Sequence, residues 1–157
     1  MDQLLTFTDK GIFCPRAGVY IDPWKPVEKA VISHGHSDHA YPGHQHYLCT
    51  TDAMAVIRQR LFLQDNPIQT LDYGKNISIG GVHFSFFPAG HIPGSAQVRV
   101  EYDGEVWVFS GDYKRQHDGI SAPFEPLKCH VFITESTFGL PVYKWKSQPE
   151  VFGDINA

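Results

Sequence analysis

The run Ser33-His34-Gly35-His36-Ser37-Asp38-His39 follows directly on the apolar stretch Ala30-Val31-Ile32, and no other feature restricts the fold so tightly. The apolar stretch reads as the end of a buried strand. The six positions from His34 to His39 then hold three imidazoles and one carboxylate. In extended backbone, residues two apart point to the same side, so His34 and His36 can share one metal ion. The small Gly35 and Ser37 leave the backbone free to curl around it. Asp38 and His39 are adjacent and point differently, which suits a second ion; paired ions in hydrolases lie roughly 3.5–4 Å apart. Imidazole nitrogen with carboxylate oxygen is the donor set of catalytic zinc and of mixed first-row sites. A structural zinc would favour cysteine, and none is near. The expectation is a hydrolytic metal centre, one that activates water, at the end of a strand.

At 157 residues the chain is long enough for one domain with a real core. Its net charge of −4 gives no global basic footprint. That neither supports nor excludes a nucleic-acid substrate, because metal ions can supply the positive charge themselves. Nine histidines suit a metalloprotein. The three cysteines, Cys14, Cys49 and Cys129, are odd in number and form no closely spaced pair. A disulfide scaffold or zinc finger is therefore not expected, and reduced thiols in a cytoplasmic protein are. No N-terminal signal sequence is visible, and no apolar run reaches membrane-spanning length.

The patterning predicts many short strands and few helices. Strands are expected over 4–8, 10–14 and 19–22, with a turn at Pro15-Arg16-Ala17-Gly18. Further strands are expected over 47–49, 68–71, 77–79, 82–87, 97–102, 106–109 and 131–134, the last of them buried. Asp103-Gly104 marks a hairpin. Thr51 is expected to cap a helix over 52–62 that buries Ala53, Met54, Ile57 and Leu61.

Three of these strands run into candidate ligands. The strand over 82–87 leads to Pro88-Ala89-Gly90-His91, that over 106–109 to Ser110-Gly111-Asp112, and that over 131–134 to Glu135. A strand end is a rigid edge on which to place a site residue. His91 could complete a three-histidine site with His34 and His36. Asp112 could bridge that ion to the one beside Asp38 and His39. Glu135 carries less weight, since a glutamate after a strand is often only solvated. Lys114 and Arg115 read as solvated surface. His44, His46, His83, His117 and His130 are not expected to bind metal; His44 and His46 read as supporting or surface groups.

The set His34-Gly35-His36-Ser37-Asp38-His39, His91 and Asp112, in that order, resembles the metallo-β-lactamase fold superfamily. Ser110-Gly111-Asp112-Tyr113 and Thr134-Glu135-Ser136-Thr137-Phe138-Gly139 are similar to motifs of its β-CASP nuclease branch. Thr6-Phe7-Thr8-Asp9-Lys10-Gly11, Ile21-Asp22-Pro23-Trp24-Lys25-Pro26 and Gly139-Leu140-Pro141-Val142-Tyr143 resemble bacterial exonucleases associated with a DNA ligase. The resemblance implies an α/β layered αββα sandwich, rich in short, mostly antiparallel strands, with metals at one edge of the paired sheets. It implies His34, His36 and His91 on one divalent ion, Asp38 and His39 on a second, and Asp112 bridging both. Zinc is the expected metal, with manganese or iron as alternatives. It further implies that Glu135 orients a histidine from a downstream part. A nucleic-acid substrate follows, DNA before RNA, with a DNA ligase as a functional associate and no membrane.

Residues 1–157 match only the N-terminal part of that fold, without its cap domain and C-terminal half. Ser147-Gln148-Pro149-Glu150 reads as a helix start, with Val151, Phe152 and Ile155 on an apolar face. A half-sandwich is expected to leave one metal site incomplete and to act weakly or not at all. It is also expected to expose an apolar sheet face, through Phe84, Phe86, Val98 and Val100 or their alternates, that invites self-association. For catalysis the expected residues are Asp38, which could help deprotonate the nucleophile, Asp112 and Glu135. Two other readings stand beside the nuclease. One is hydrolysis of a small thioester, lactone or β-lactam on the same scaffold. The other is a non-catalytic metal-binding module.

Overall fold

The computed structural model describes residues 3–63, 66–136 and 139–156. Chain order gives β1 (Thr6–Thr8), β2 (Gly11–Cys14), β3 (Val19–Ile21), β4 (Lys29–Val31) and β5 (His46–Thr50). Next come α1 (Met54–Arg60), β6 (Ile68–Leu71), β7 (Asn76–Ile79), β8 (Val82–Pro88), β9 (Ala96–Tyr102), β10 (Glu105–Phe109), β11 (Val131–Ile133) and α2 (Gln148–Ile155). The strands make two sheets, ordered β1-β2-β3-β4-β5-β6 and β11-β10-β9-β8-β7.

Alternation of side chains along each strand assigns the two faces of the first sheet. Val31 and Leu48 turn inward with Ile12 and Ile21, against Phe84, Phe86, Val98, Val100, Trp107 and Phe109 of the second sheet. Ala30, Ile32, Tyr47 and Cys49 turn outward, against Ala53, Ile57 and Leu61. The described residues thus form helix, sheet and sheet in layers, three of the four layers of an αββα sandwich. Cys14, Cys49 and Cys129 are unpaired. Among the described residues no helix is long and apolar enough to cross a membrane.

Several expectations need correction. The first sheet is mixed, since β3, β4, β5 and β6 pair in parallel. Antiparallel pairing dominates only in the second sheet, where β10–β11 is the parallel pair. The helix is shorter than 52–62, and Thr51 does not cap it. Thr51 Oγ1 donates to Asp72 at 2.6 Å, while Ala53 N donates to Thr50 Oγ1 at 3.2 Å. At its other end Phe62 takes a φ of 52° and turns its ring to solvent. Strand β11 is not buried: it closes the edge of its sheet and leaves Phe132 exposed. Phe84, Phe86, Val98 and Val100 are not an exposed patch, because they fill the space between the sheets. Their alternates His83, Ser85, Arg99 and Glu101 are polar, with Arg99 ion-paired to Glu101 at 2.6 Å, and half-buried Phe87 is the apolar residue among them.

The sheets bring the candidate residues to one edge. Antiparallel β8, β9 and β10 place Pro88 opposite Ala96 and Val98 opposite Phe109, so the ends of β8 and β10 lie together. Parallel β11 ends beside β10. Ala96 N donates to Ser33 O at 2.9 Å and joins this edge to the loop that follows β4.

Candidate metal centre

The loop after β4 is a tight turn. His36 O accepts from Ala40 N at 2.9 Å and from His39 N at 3.3 Å. It carries His36, Asp38 and His39 on consecutive sides of one bend. His91 stands on the loop after β8, where Ser95 Oγ accepts from His91 N and Ile92 N, each at 3.1 Å. Asp112 follows β10. Gly111 before it has a φ of 54°, and a Cβ there would lie 2.9 Å from Ser33 Oγ. Only glycine lets the Asp112 backbone pass so close to the histidine loop.

The side chains converge. His36 Nδ1 lies 3.1 Å from His34 Nε2 and 3.1 Å from His91 Nε2. Asp112 Oδ2 is 3.7 Å from His34 Nε2 and 3.5 Å from His91 Nε2. These four residues each offer a donor atom within 4.8 Å of the others, and Asp38, His39 and Asp112 do the same. Asp112 Oδ1 is 3.1 Å from His39 Nε2, and Asp38 Oδ2 is 3.8 Å from it. Asp112 therefore faces both groups, one with each oxygen.

Asp22 holds this arrangement from behind, and sequence reasoning assigned it no role. Its Oδ1 accepts from Ser33 N at 2.7 Å, its Oδ2 accepts from Ser33 Oγ, and the same Oδ2 lies 2.7 Å from His39 Nδ1. Asp22 has a φ of 42°, an uncommon conformation that aspartate tolerates better than most residues. The signal was available: Asp22 ends an apolar strand just as Asp112 does.

The bond from Ser33 Oγ to Asp22 also sets the tautomer of His34. With its proton given to Asp22, Ser33 Oγ can only accept from His34 Nδ1, 3.1 Å away. His34 Nε2 is left as a bare lone pair aimed at other acceptors. Burial, reinforced by the charge of His39, pushes the His34 pKa down to about 3 and keeps it neutral. Burial also lowers that of His91. His39 is the exception: burial opposes its charge, but hydrogen bonds to Asp112 and Asp22 outweigh it and raise it to about 10. The His39 hydrogen bond in turn lowers the Asp112 pKa. Unprotonated nitrogens and a carboxylate crowded together, with a proton drawn to His39, are a site that fits a cation.

Glu135 is half-buried after β11 and lines two hollows at the centre. One, of about 270 Å³, runs past Asp22, His39 and Trp24. The other, of about 670 Å³, opens beside His91 and Asp112 and reaches Trp145 on the way to α2. Among the described residues Glu135 belongs to none of the donor groups, the third of which joins Asp22 to His34 and His39. Thr137 and Phe138 of its motif, and Ala157, lie outside the described residues. Lys114 is tied to Asp118 at 3.2 Å, not freely solvated, whereas Arg115 is exposed. His46, His83, His117 and His130 are exposed and stand apart from the cluster. His44 is a buried packing residue: its Nδ1 accepts from Val27 N at 3.3 Å, and burial lowers its pKa to about 4.

No protein-family model matches the chain. It is 31% identical over 148 residues to a probable DNA ligase of Opitutus terrae, across 92% of this chain and 14% of that protein. It is 39% identical over 81 residues to the endoribonuclease YSH1 of Saccharomyces cerevisiae, across 50% of this chain and 10% of that one. With the cleavage and polyadenylation specificity factor 73 of Drosophila melanogaster it shares 30% identity over 103 residues, across 64% of this chain and 15% of that one. The chain thus spans only 10% to 15% of the length of these curated relatives. With ordered histidines and aspartates on the edge of a layered α/β fold, and with these relatives, the chain resembles the metallo-β-lactamase fold superfamily and its β-CASP branch.

Proposed function

We propose that the chain carries the metal centre of a hydrolase that cleaves phosphodiester bonds in nucleic acid, as an exonuclease. The convergence of His34, His36, His91 and Asp112 supports this reading above all else. His34, His36, His91 and Asp112 would hold one divalent ion, and Asp38, His39 and Asp112 a second, with zinc suited to both donor sets. The second set has fewer donors and is the weaker of the two. When bound, such ions lower the pKa of water toward about 7 and neutralise charge on a phosphoryl oxygen. The chain's own residues do the positioning. Asp22 fixes His39 through Nδ1, and Ser33 fixes the His34 tautomer. Asp38 is exposed at the mouth of the larger cleft, where it accepts a proton from the attacking water. Glu135 orients a group arriving from beyond β11.

DNA is the favoured substrate, because a relative matched over 92% of this chain is a probable DNA ligase. That same match supports a functional association with a ligase. Unpaired cysteines support a cytoplasmic location. The test is to incubate the protein with labelled DNA, labelled RNA and a chromogenic ester, with zinc or manganese and with chelator. Slow nucleic-acid cleavage that chelation and Asp112→Ala both abolish, with no ester hydrolysis, is expected. Faster ester hydrolysis, or cleavage that survives chelation, contradicts the proposal.

A further inference from the structure

The histidine loop does not hold its shape alone. Arg60, the last residue of α1, reaches across to the turn and donates from Nη2 to His36 O at 3.3 Å and to Ala40 O. His36 O already accepts from Ala40 N and His39 N, so one carbonyl gathers three donors. Three candidate ligands, His36, Asp38 and His39, ride on that turn. Helix α1 touches the loop a second time, where a Cβ on Gly35 would come within 3.1 Å of Val56 Cγ1. Just before the helix, Thr50 Oγ1 donates to Gly94 O at 2.7 Å and ties down the loop that carries His91. The two loops come from different sheets, and the segment from Thr50 to Arg60 contacts both.

We infer that Arg60 is a positioning residue for the metal centre, fixing the His36–Ala40 turn so that its ligands meet His91 and Asp112. The inference rests on the metal-binding reading of that cluster. It has a sign that separates positioning from electrostatics. A cation near a divalent ion repels it, so neutralising a residue that acted only through charge would tighten metal binding. Removing a residue that holds ligand geometry weakens it; partners that orient ligands are typically worth about 10- to 100-fold in affinity.

The experiment titrates zinc into the chelator-stripped protein by competition with a chromophoric chelator, for the wild type, Arg60→Met and Arg60→Lys. Melting temperatures of the stripped proteins are measured alongside. The expected result is zinc binding weakened about tenfold or more in Arg60→Met, partly restored in Arg60→Lys, with stripped melting temperatures close to that of the wild type. Unchanged or tighter binding in Arg60→Met overturns the inference, and so does a loss of affinity matched by a collapse of the stripped protein's melting temperature. A wild type that binds no zinc overturns the metal reading itself, and this inference with it.

Discussion

Asp22 illustrates how one carboxylate can organise the ligands around it, although it also lies within reach of His34 and His39 as a donor. Both its oxygens are engaged, by Ser33 N, Ser33 Oγ and His39 Nδ1, so it sets the orientation of His39 and, through Ser33, the tautomer of His34. Asparagine keeps an acceptor for Ser33 N but turns an amide N–H toward His39. Asp22→Asn should therefore weaken zinc binding about 10- to 100-fold. Isothermal titration calorimetry on the stripped variant would read this, and unchanged affinity would refute the role. His44 acts at the same scale but on stability. Its pKa is lowered to about 4 in the folded state, against about 6.5 when unfolded. Between those values the unfolded chain binds more protons. The stabilisation is therefore whole above about pH 6.5 and falls away toward pH 4, by on the order of 3 kcal/mol. The advantage of the wild type over His44→Leu in urea melts of stripped protein should narrow across that window. A constant gap would mean that His44 keeps an ordinary pKa. Six candidate ligands were legible because imidazole and carboxylate are scarce and were tightly spaced or strand-terminal. Asp22 was given no role because its partners Ser33 and His39 lie 11 and 17 residues away, and sequence spacing does not show that contact.

Helix α1 was legible in outline from its apolar spacing, and Ala53, Ile57 and Leu61 do pack on the outer face of the first sheet. Its limits were not, because a hydrophobic pattern continues past the point where Phe62 leaves the helical conformation. Nor could sequence alone choose between adjacent threonines: Thr50 serves the helix start while Thr51 bonds Asp72. Ile57 is fully buried, so Ile57→Ala should cost about 2–5 kcal/mol in denaturant unfolding. The exposed neighbour Val56 is the control, with Val56→Ala within about 0.5 kcal/mol. Equal losses at both positions would show that the helix does not pack as described. The edge position of β11 was hidden for a related reason. Val131-Phe132-Ile133 is apolar whether covered on both faces or on one, and only the pairing with β10 decides.

At the scale of the molecule, the strand ends gather on one edge because β4 and β5 run parallel in the first sheet while β8, β9 and β10 alternate in the second. Parallel pairing in the first sheet was not legible, since register and direction depend on partners distant in sequence. The expected apolar patch failed for the same reason: Phe84, Phe86, Val98 and Val100 needed a facing sheet, and residues 11–48 supply it. Ligands drawn from both sheets make metal binding and folding one equilibrium. Zinc at about 100 times its dissociation constant should add about 2.7 kcal/mol and raise the melting temperature by roughly 5–10 °C, reversibly with chelator. A melting temperature indifferent to zinc would separate the cluster from the fold. The most direct measurement is anomalous diffraction at the zinc edge from crystals of the zinc-loaded protein. The account predicts a peak ringed by His34 Nε2, His36 Nδ1, His91 Nε2 and Asp112. Zinc found only elsewhere, or no peak among those four side chains, would contradict it.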